Sequence, residues 1–345
     1  MKLAEAHALD PRPLLALLEQ AFADGEPGGP GTHGLSPALW ERALLGPLRQ
    51  FLARPGKELR ARMVELGFVL GGGERDAMPA ELPLLIEILH AGSLIVDDIE
   101  DGSELRRGLP CLHRLHGVPL ALNAGNWLYF WPQTLLARMA LPAEARLNAH
   151  ERIAHCLLRC HEGQALDLTA RVTEIARGDV PGVARTLTAL KSGQLVGLAT
   201  ALGAVAAAAG DLRIDALARF GCEVGAGVQM LDDLSGVLNP ARRDKALEDL
   251  RLGRVTWVWA FLAADLDEVS YAAEVERLRG AGDDVALEPL IELCRFRLGM
   301  TGLRRVRRHF DDALGALQQA LGDGSWSEDV RAQLARLERQ FLEAT

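Results

Sequence analysis

The sequence predicts an all-α protein, and three observations lead there. From residue 37 onward nearly every segment sets its apolar residues at helical spacing. Runs of alternating β-branched residues are absent. The interruptions fall at glycine- or proline-bearing stretches, at 71–73, 102, 178–182 and 239–243.

Taken in order, residues 14–23 predict a short amphipathic helix, and 24–34 (DGEPGGPGTHG) a loop. Residues 195–209, dominated by Ala and Gly between Lys191 and Asp211, predict a tightly packed buried helix. The stretch is shorter than the roughly twenty residues a membrane span needs, so no transmembrane segment is expected. GCEVGAG at 221–227 has no strand before it, so its glycines read as helix-contact positions and not as a dinucleotide loop. Residues 260–345 read as amphipathic helices without legible chemistry, and Arg304, Arg305, Arg307 and Arg308 as a solvated face. The whole chain, 1–345, reads as one domain, with 1–36 an N-terminal helix and loop.

Hydrophobic content of 49% with 25% charged residues is that of an ordinary globular chain. A net charge of -9 argues against nucleic acid as a partner, because binding a phosphate backbone needs a basic face. Five scattered cysteines give no disulfide framework and suit the cytoplasm. Cys156 and Cys160, one helical turn apart, lack a second ligand pair and read as small core residues. Residues 1–10 mix acids with apolar residues, which predicts no signal peptide.

The chemistry centres on residues 93–108, SLIVDDIEDGSELRRG. On a helix, Asp97 and Asp101 project from one face about one turn apart. Carboxylates at the edge of an apolar helix repel one another unless metal or cationic partners offset them. Mg2+ favours one or two protein carboxylates plus phosphate oxygens and water. Arg106 and Arg107 supply cations within reach of such a phosphate. The segment therefore reads as a diphosphate site. GVQMLDDL at 227–234 repeats the construction with Asp232 and Asp233, and the two clusters predict facing walls of one metal-lined cavity. The alternative is a pair of solvated helix ends. Asp283 with Asp284, and Asp311 with Asp312, lie in polar or flexible surroundings and read as surface groups.

With these motifs the sequence resembles the all-trans isoprenyl (polyprenyl) diphosphate synthases. The resemblance rests on GKELR at 56–60, EILHAGSLIVDDIEDGSELRRGLPCLH at 87–113, NAG at 123–125, EGQALDL at 162–168, KSGQL at 191–195, QMLDD at 229–233 and KALEDLRLGRVTW at 245–257. It implies an isoprenoid synthase-type helical bundle around a central cavity. It also implies a Mg2+-dependent prenyltransferase joining isopentenyl diphosphate to an allylic diphosphate, with three ions per site once substrate is bound, and a homodimer. Asp97, Asp101 and Asp232 match the family's direct metal ligands, with Asp98 and Asp233 in support. Arg106, Lys191 and Lys245 match the residues that grip the allylic diphosphate. Lys57, Arg60, His90 and Arg107 match the isopentenyl diphosphate site; His90 lies two turns before Asp97 on the same helix face. Ser192 and Gln229 sit where the family directs oxygens at the carbocation.

The sequence departs from the family where Gly236 replaces a third aspartate in the second cluster, where NPARRD (239–244) precedes Lys245, and at Gly253 and Arg254. Weaker Mg2+ affinity is the expectation at Gly236. Gly92 and Ser93, small where family members carry bulky residues to shorten the product, favour a longer one. Trp127 and Trp131, one turn apart, provide either a tunnel floor or aromatic packing between subunits or in the core. Geranylgeranyl or farnesyl diphosphate is the expected product. A terpene cyclase on the same fold and a non-catalytic regulatory subunit are the alternatives. The set Lys57, Arg60, His90 and Arg107 counts against the first, and the complete first cluster against the second.

Overall fold

The computed structural model describes residues 11–23, 36–54, 59–322 and 326–342. They are almost wholly helical, as the spacing predicts. The chain forms two compact units: the described residues of Ala4–Arg152 with Leu202–Ala209, and those of Ile153–Ala201 with Gly210–Thr345.

The N-terminal unit starts with α1 (Arg12–Ala21), α2 (Pro37–Trp40), a π turn (Glu41–Leu45), α3 (Gly46–Leu52) and α4 (Leu59–Leu70). Then come α5 (Leu82–Glu100), a hairpin of β1 (Leu105–Arg106) and β2 (Leu109–Pro110), α6 (Leu112–His116) and α7 (Val118–Arg138). The predicted loop at 24–34 lies outside the described residues except at its edges. Helix α5 buries Leu85, Ile86, Ile88, Leu89 and Ile95, and its main partner is α7. Glycines set their separation: a Cβ on Gly92 would lie 2.9 Å from the Gly125 carbonyl oxygen and 3.0 Å from Leu128 Cβ. Gly92 is thus a helix-contact residue. A side chain added there would meet α7 first. Trp127 and Trp131 stack at 4.9 Å within the unit's hydrophobic cluster beside Phe22 and Leu18.

Helices α8 (Ala143–Thr169) and α10 (Gln194–Ala206) contribute residues to both units. Between them are α9 (Val180–Thr188) and a π turn (Ala189–Gly193). Here the sequence reading of length needs correction. Val180–Ala206 forms 27 helical residues with hydropathy 1.2, long and apolar enough by length and composition to cross a bilayer, with 72% of the apolar window buried inside the protein. A buried core helix meets the same criteria, so burial and not shortness supports the packed-helix reading.

The C-terminal unit continues with α11 (Asp211–Leu238), a 3₁₀ turn (Pro240–Arg242), α12 (Arg243–Arg251), α13 (Trp257–Asp265), α14 (Glu268–Gly280), α15 (Asp284–Leu321) and α16 (Ser327–Leu342). Gly221 and Gly225 of α11 back onto Val196 and Ser192, as helix-contact glycines should. Asp283 caps α15 by accepting from the Ala286 N–H at 3.0 Å, a role beyond surface decoration. The arginine face of α15 is likewise partly tied down. Arg305 lies over the Phe261 ring at 4.9 Å, and Arg307 pairs with Glu338.

Candidate functional site

In the N-terminal unit the first acidic cluster is fixed by how α5 ends. The Ser103 N–H donates to the Asp98 carbonyl at 2.9 Å and the Gly102 N–H to that of Ile99 at 3.2 Å. With Gly102 at φ 65, this is a Schellman C-cap. It leaves Asp101 one turn after Asp97, with its N–H on the Asp97 carbonyl at 2.9 Å. Asp98 faces inward, 1% exposed, and its Oδ1 accepts from Arg106 Nε at 2.7 Å and from a second guanidinium nitrogen at 2.5 Å. The same guanidinium stands 3.4 Å from Asp97 Oδ2. Burial opposes the charge on Arg106, and the Asp98 bonds outweigh it, so the guanidinium is held more firmly protonated than usual. Asp98 therefore positions Arg106, which leaves Asp97 and Asp101 as the outward pair.

The hairpin carries both arginines. Its two-residue loop is Arg107 and Gly108, at φ 55 and 74, the positive pair that a type I′ turn requires. A non-glycine residue held there is a local cost of about 1 kcal/mol or more, of the kind found at functional sites. Arg54, 6% exposed, pins the hairpin. It donates to the Pro110 carbonyl at 2.8 Å and the Arg106 carbonyl at 3.5 Å, while Arg107 donates to the Arg54 carbonyl at 3.1 Å. A small cleft here is lined by Arg54, Glu87, His90 and Arg107 over Phe51 and Leu94. His90 is held well below its usual 6.5, first by loss of solvation and then by Arg60, Arg107 and Arg106. Four cations round a neutral imidazole, with Glu87 the acid among the lining residues, form a pocket suited to an anion. Lys57 lies outside the described residues. Ser93 donates its hydroxyl to the His90 carbonyl at 2.8 Å.

In the C-terminal unit the π turn carries Lys191 and Ser192. Such turns recur at functional sites because they re-aim side chains. Lys191 Nζ meets Asp167 Oδ2 at 2.6 Å. A polar chain then runs from the Ser192 hydroxyl to Gln229 Oε1 at 2.7 Å, from Gln229 Nε2 to Asp233 Oδ1 at 2.8 Å, and from the Trp257 N–H to Asp233 Oδ2 at 2.8 Å. Burial is the main force raising the Asp233 pKa, to about 7, with Lys245 and the Trp257 N–H opposing it. Asp232 accepts on Oδ1 from Arg242 at 2.7 Å and stands 3.3 Å by Oδ2 from Lys245 Nζ. Lys245 also meets Asp249 at 2.8 Å. Burial opposes its charge, but Asp249, Asp232 and Asp233 hold it protonated.

Each unit offers donors that fit Mg2+, a hard cation that takes oxygen ligands: Asp97 and Asp101 in the N-terminal unit, with Arg106 beside Asp97, and Asp232 in the C-terminal unit, beside Arg242 and Lys245.

The sequence reading missed Arg54, Asp167, Arg242 and Trp257. Asp167 and Trp257 fall inside quoted motifs and could have been found there. Arg54 and Arg242 act through contacts that no local spacing announces.

The family model described as Polyprenyl synthetase matches residues 41–280. The chain belongs to this family. Among relatives of this polyprenyl synthetase family member, a "Geranylgeranyl pyrophosphate synthase 2" of Zymoseptoria tritici is 32% identical over 231 residues, 66% of each chain. A "Geranylgeranyl diphosphate synthase" of Sulfolobus acidocaldarius is 30% identical over 207 residues, 58% of this chain and 61% of its own. The match thus spans somewhat less than two thirds of these relatives' length. The fold is shared with the geranylgeranyl pyrophosphate synthetase of Pyrococcus horikoshii Ot3, at TM-score 0.70 and 23% identity over 97% of this chain and 99% of that one. It is shared equally with the Corynebacterium glutamicum geranylgeranyl pyrophosphate synthase complexed with isoprenyl diphosphate and magnesium, at TM-score 0.70 and 22% identity over 97% and 96%.

Proposed function

We propose that this chain is a trans-prenyltransferase that condenses isopentenyl diphosphate with an allylic diphosphate to give geranylgeranyl diphosphate. The observation that carries the reading is the pairing of two kinds of anion site. One is a set of carboxylates flanked by cations, suited to a metal-bound diphosphate; the other is a cationic cleft around His90, suited to a diphosphate without metal. Family membership and relatives named as geranylgeranyl diphosphate synthases support it. We propose further that both units act together as one catalytic domain, that the chain works in the cytoplasm, where its five free cysteines stay reduced, and that it forms a homodimer.

Mg2+ bound at Asp97, Asp101 and Asp232 would supply positive charge to the departing diphosphate. Arg106, Lys191 and Lys245 add fixed charge to the same group, so that the carbon–oxygen bond breaks towards a stabilised anion. His90, Arg60 and Arg107, with Lys57, hold isopentenyl diphosphate. Ser192 and Gln229 present oxygen dipoles to the allylic cation. Neither is a strong base, so neither is alkylated. The new carbon–carbon bond forms as isopentenyl diphosphate attacks, and the proton then lost passes to the released diphosphate.

The test is incubation of pure protein and Mg2+ with labelled isopentenyl diphosphate and five-, ten- or fifteen-carbon allylic diphosphates. Label in a twenty-carbon linear diphosphate is expected. A hydrocarbon made from the allylic substrate alone would point to a cyclase, and no turnover without a partner chain to a regulatory subunit; either result overturns the reading.

A further inference from the structure

The second acidic cluster holds a cation that no motif predicts. Arg242 closes the 3₁₀ turn Pro240–Arg242. Asn239 fixes that turn: its side-chain oxygen accepts from the Ala241 N–H at 3.0 Å, and its carbonyl from the Arg242 N–H at 2.9 Å. So anchored, Arg242 places one guanidinium nitrogen 2.7 Å from Asp232 Oδ1 and another on the Ser235 hydroxyl. Lys245 stands at the other Asp232 oxygen, so both oxygens already face a protein cation.

Gly236, one turn beyond Asp232, accounts for the vacated charge. A Cβ there would meet Ala246 at 3.4–3.5 Å, ordinary contact, so sterics do not impose glycine at this position. Relative to a cluster with a third aspartate and no arginine, this one has lost a negative charge and gained a positive one. Both changes favour an anionic ligand over a metal cation. A guanidinium also suits phosphate better than a lone carboxylate oxygen, since its fork can engage two phosphate oxygens.

We propose that Arg242 is a further diphosphate-binding residue, held on Asp232 in the substrate-free protein and exchanging Asp232 for phosphate oxygens on loading. A divalent cation held by Asp232 would repel Arg242, whose side chain, 29% exposed, would then exchange the carboxylate for the ligand. The proposal rests on the prenyltransferase reading.

It makes two predictions of opposite sign for Arg242→Gln. Without pyrophosphate, Mn2+ binding followed by electron paramagnetic resonance tightens severalfold, because Asp232 loses a competing cation. With Mg2+ present, inorganic pyrophosphate measured by calorimetry binds about tenfold more weakly, since a charge-assisted contact is lost. Arg242→Lys keeps the competition for Asp232 but not the fork, so it restores the Mn2+ affinity and only part of the pyrophosphate affinity. A merely structural arginine would weaken both together. That result, or an unchanged pyrophosphate affinity in a variant with native circular dichroism, overturns the role of Arg242 and leaves the prenyltransferase reading standing. Failure of the unaltered chain to bind pyrophosphate with Mg2+ overturns both.

Discussion

At the scale of single residues, His90 turns its surroundings into a measurable property. Its imidazole loses solvation in the cleft and faces Arg60, Arg107 and Arg106, so the folded protein favours the neutral ring. The unfolded chain takes up a proton near the usual 6.5 while the folded one does not. Folded stability therefore falls as pH drops below that value, and levels off once the folded ring also protonates. His90→Gln removes this contribution. The difference in urea midpoint between the variant and the unaltered chain should move in favour of the variant as pH falls from 7.5 to 5.5. A constant difference would mean that the ring is not held neutral. The position of His90 was legible because it lies two turns from Asp97 within one motif. The partner of Asp232 was not, since Arg242 meets it only through side chains brought together by folding.

At the scale of elements, the hairpin shows why local sequence stops short of geometry. LRRGLP reads as charge followed by glycine; the I′ turn and its αL Arg107 become intelligible only with Arg54, 52 residues before Arg106, anchoring both strands. The π turn at Ala189–Gly193 was illegible for a similar reason, because a one-residue shift in helical register leaves the apolar period almost unchanged. Gly92 shows the same limit: its small size was legible, but its close contact with α7 at Gly125 and Leu128 was not. Replacing Arg54 by methionine keeps much of its bulk over Phe51 but loses both carbonyl contacts. A loss of about 2 kcal/mol in stability follows. Looser arginines should raise the KM for isopentenyl diphosphate about tenfold with kcat little changed, and Arg54→Lys, which lacks the fork, should not restore it. Equal losses in kcat and kcat/KM in steady-state assays would instead place Arg54 in the chemical step.

At the scale of the whole molecule, an all-α chain was legible from periodicity, but its division into two compact units was not. Helices α8 and α10 pass through both without any change in composition at Arg152 or Ala201, so no linker marks the boundary. Net charge is equally uninformative about the site: the chain carries -9 overall, yet four cations gather around the His90 cleft. This distribution separates folding from metal binding. Asp97, Asp98 and Asp232 already face Arg106, Arg242 or Lys245, so their repulsion is offset by the protein's own cations. A chelator alone should thus leave the thermal midpoint unchanged. Mg2+ with pyrophosphate binds the folded form, and at a hundredfold excess over Kd it adds about 2.7 kcal/mol, a rise of several degrees for a protein of this size. Mg2+ alone should give a much smaller rise, because the phosphate oxygens supply most of its ligands. Scanning calorimetry under these three conditions tests the claim; a midpoint that falls on chelation would make the ion a structural element and not a companion of the substrate.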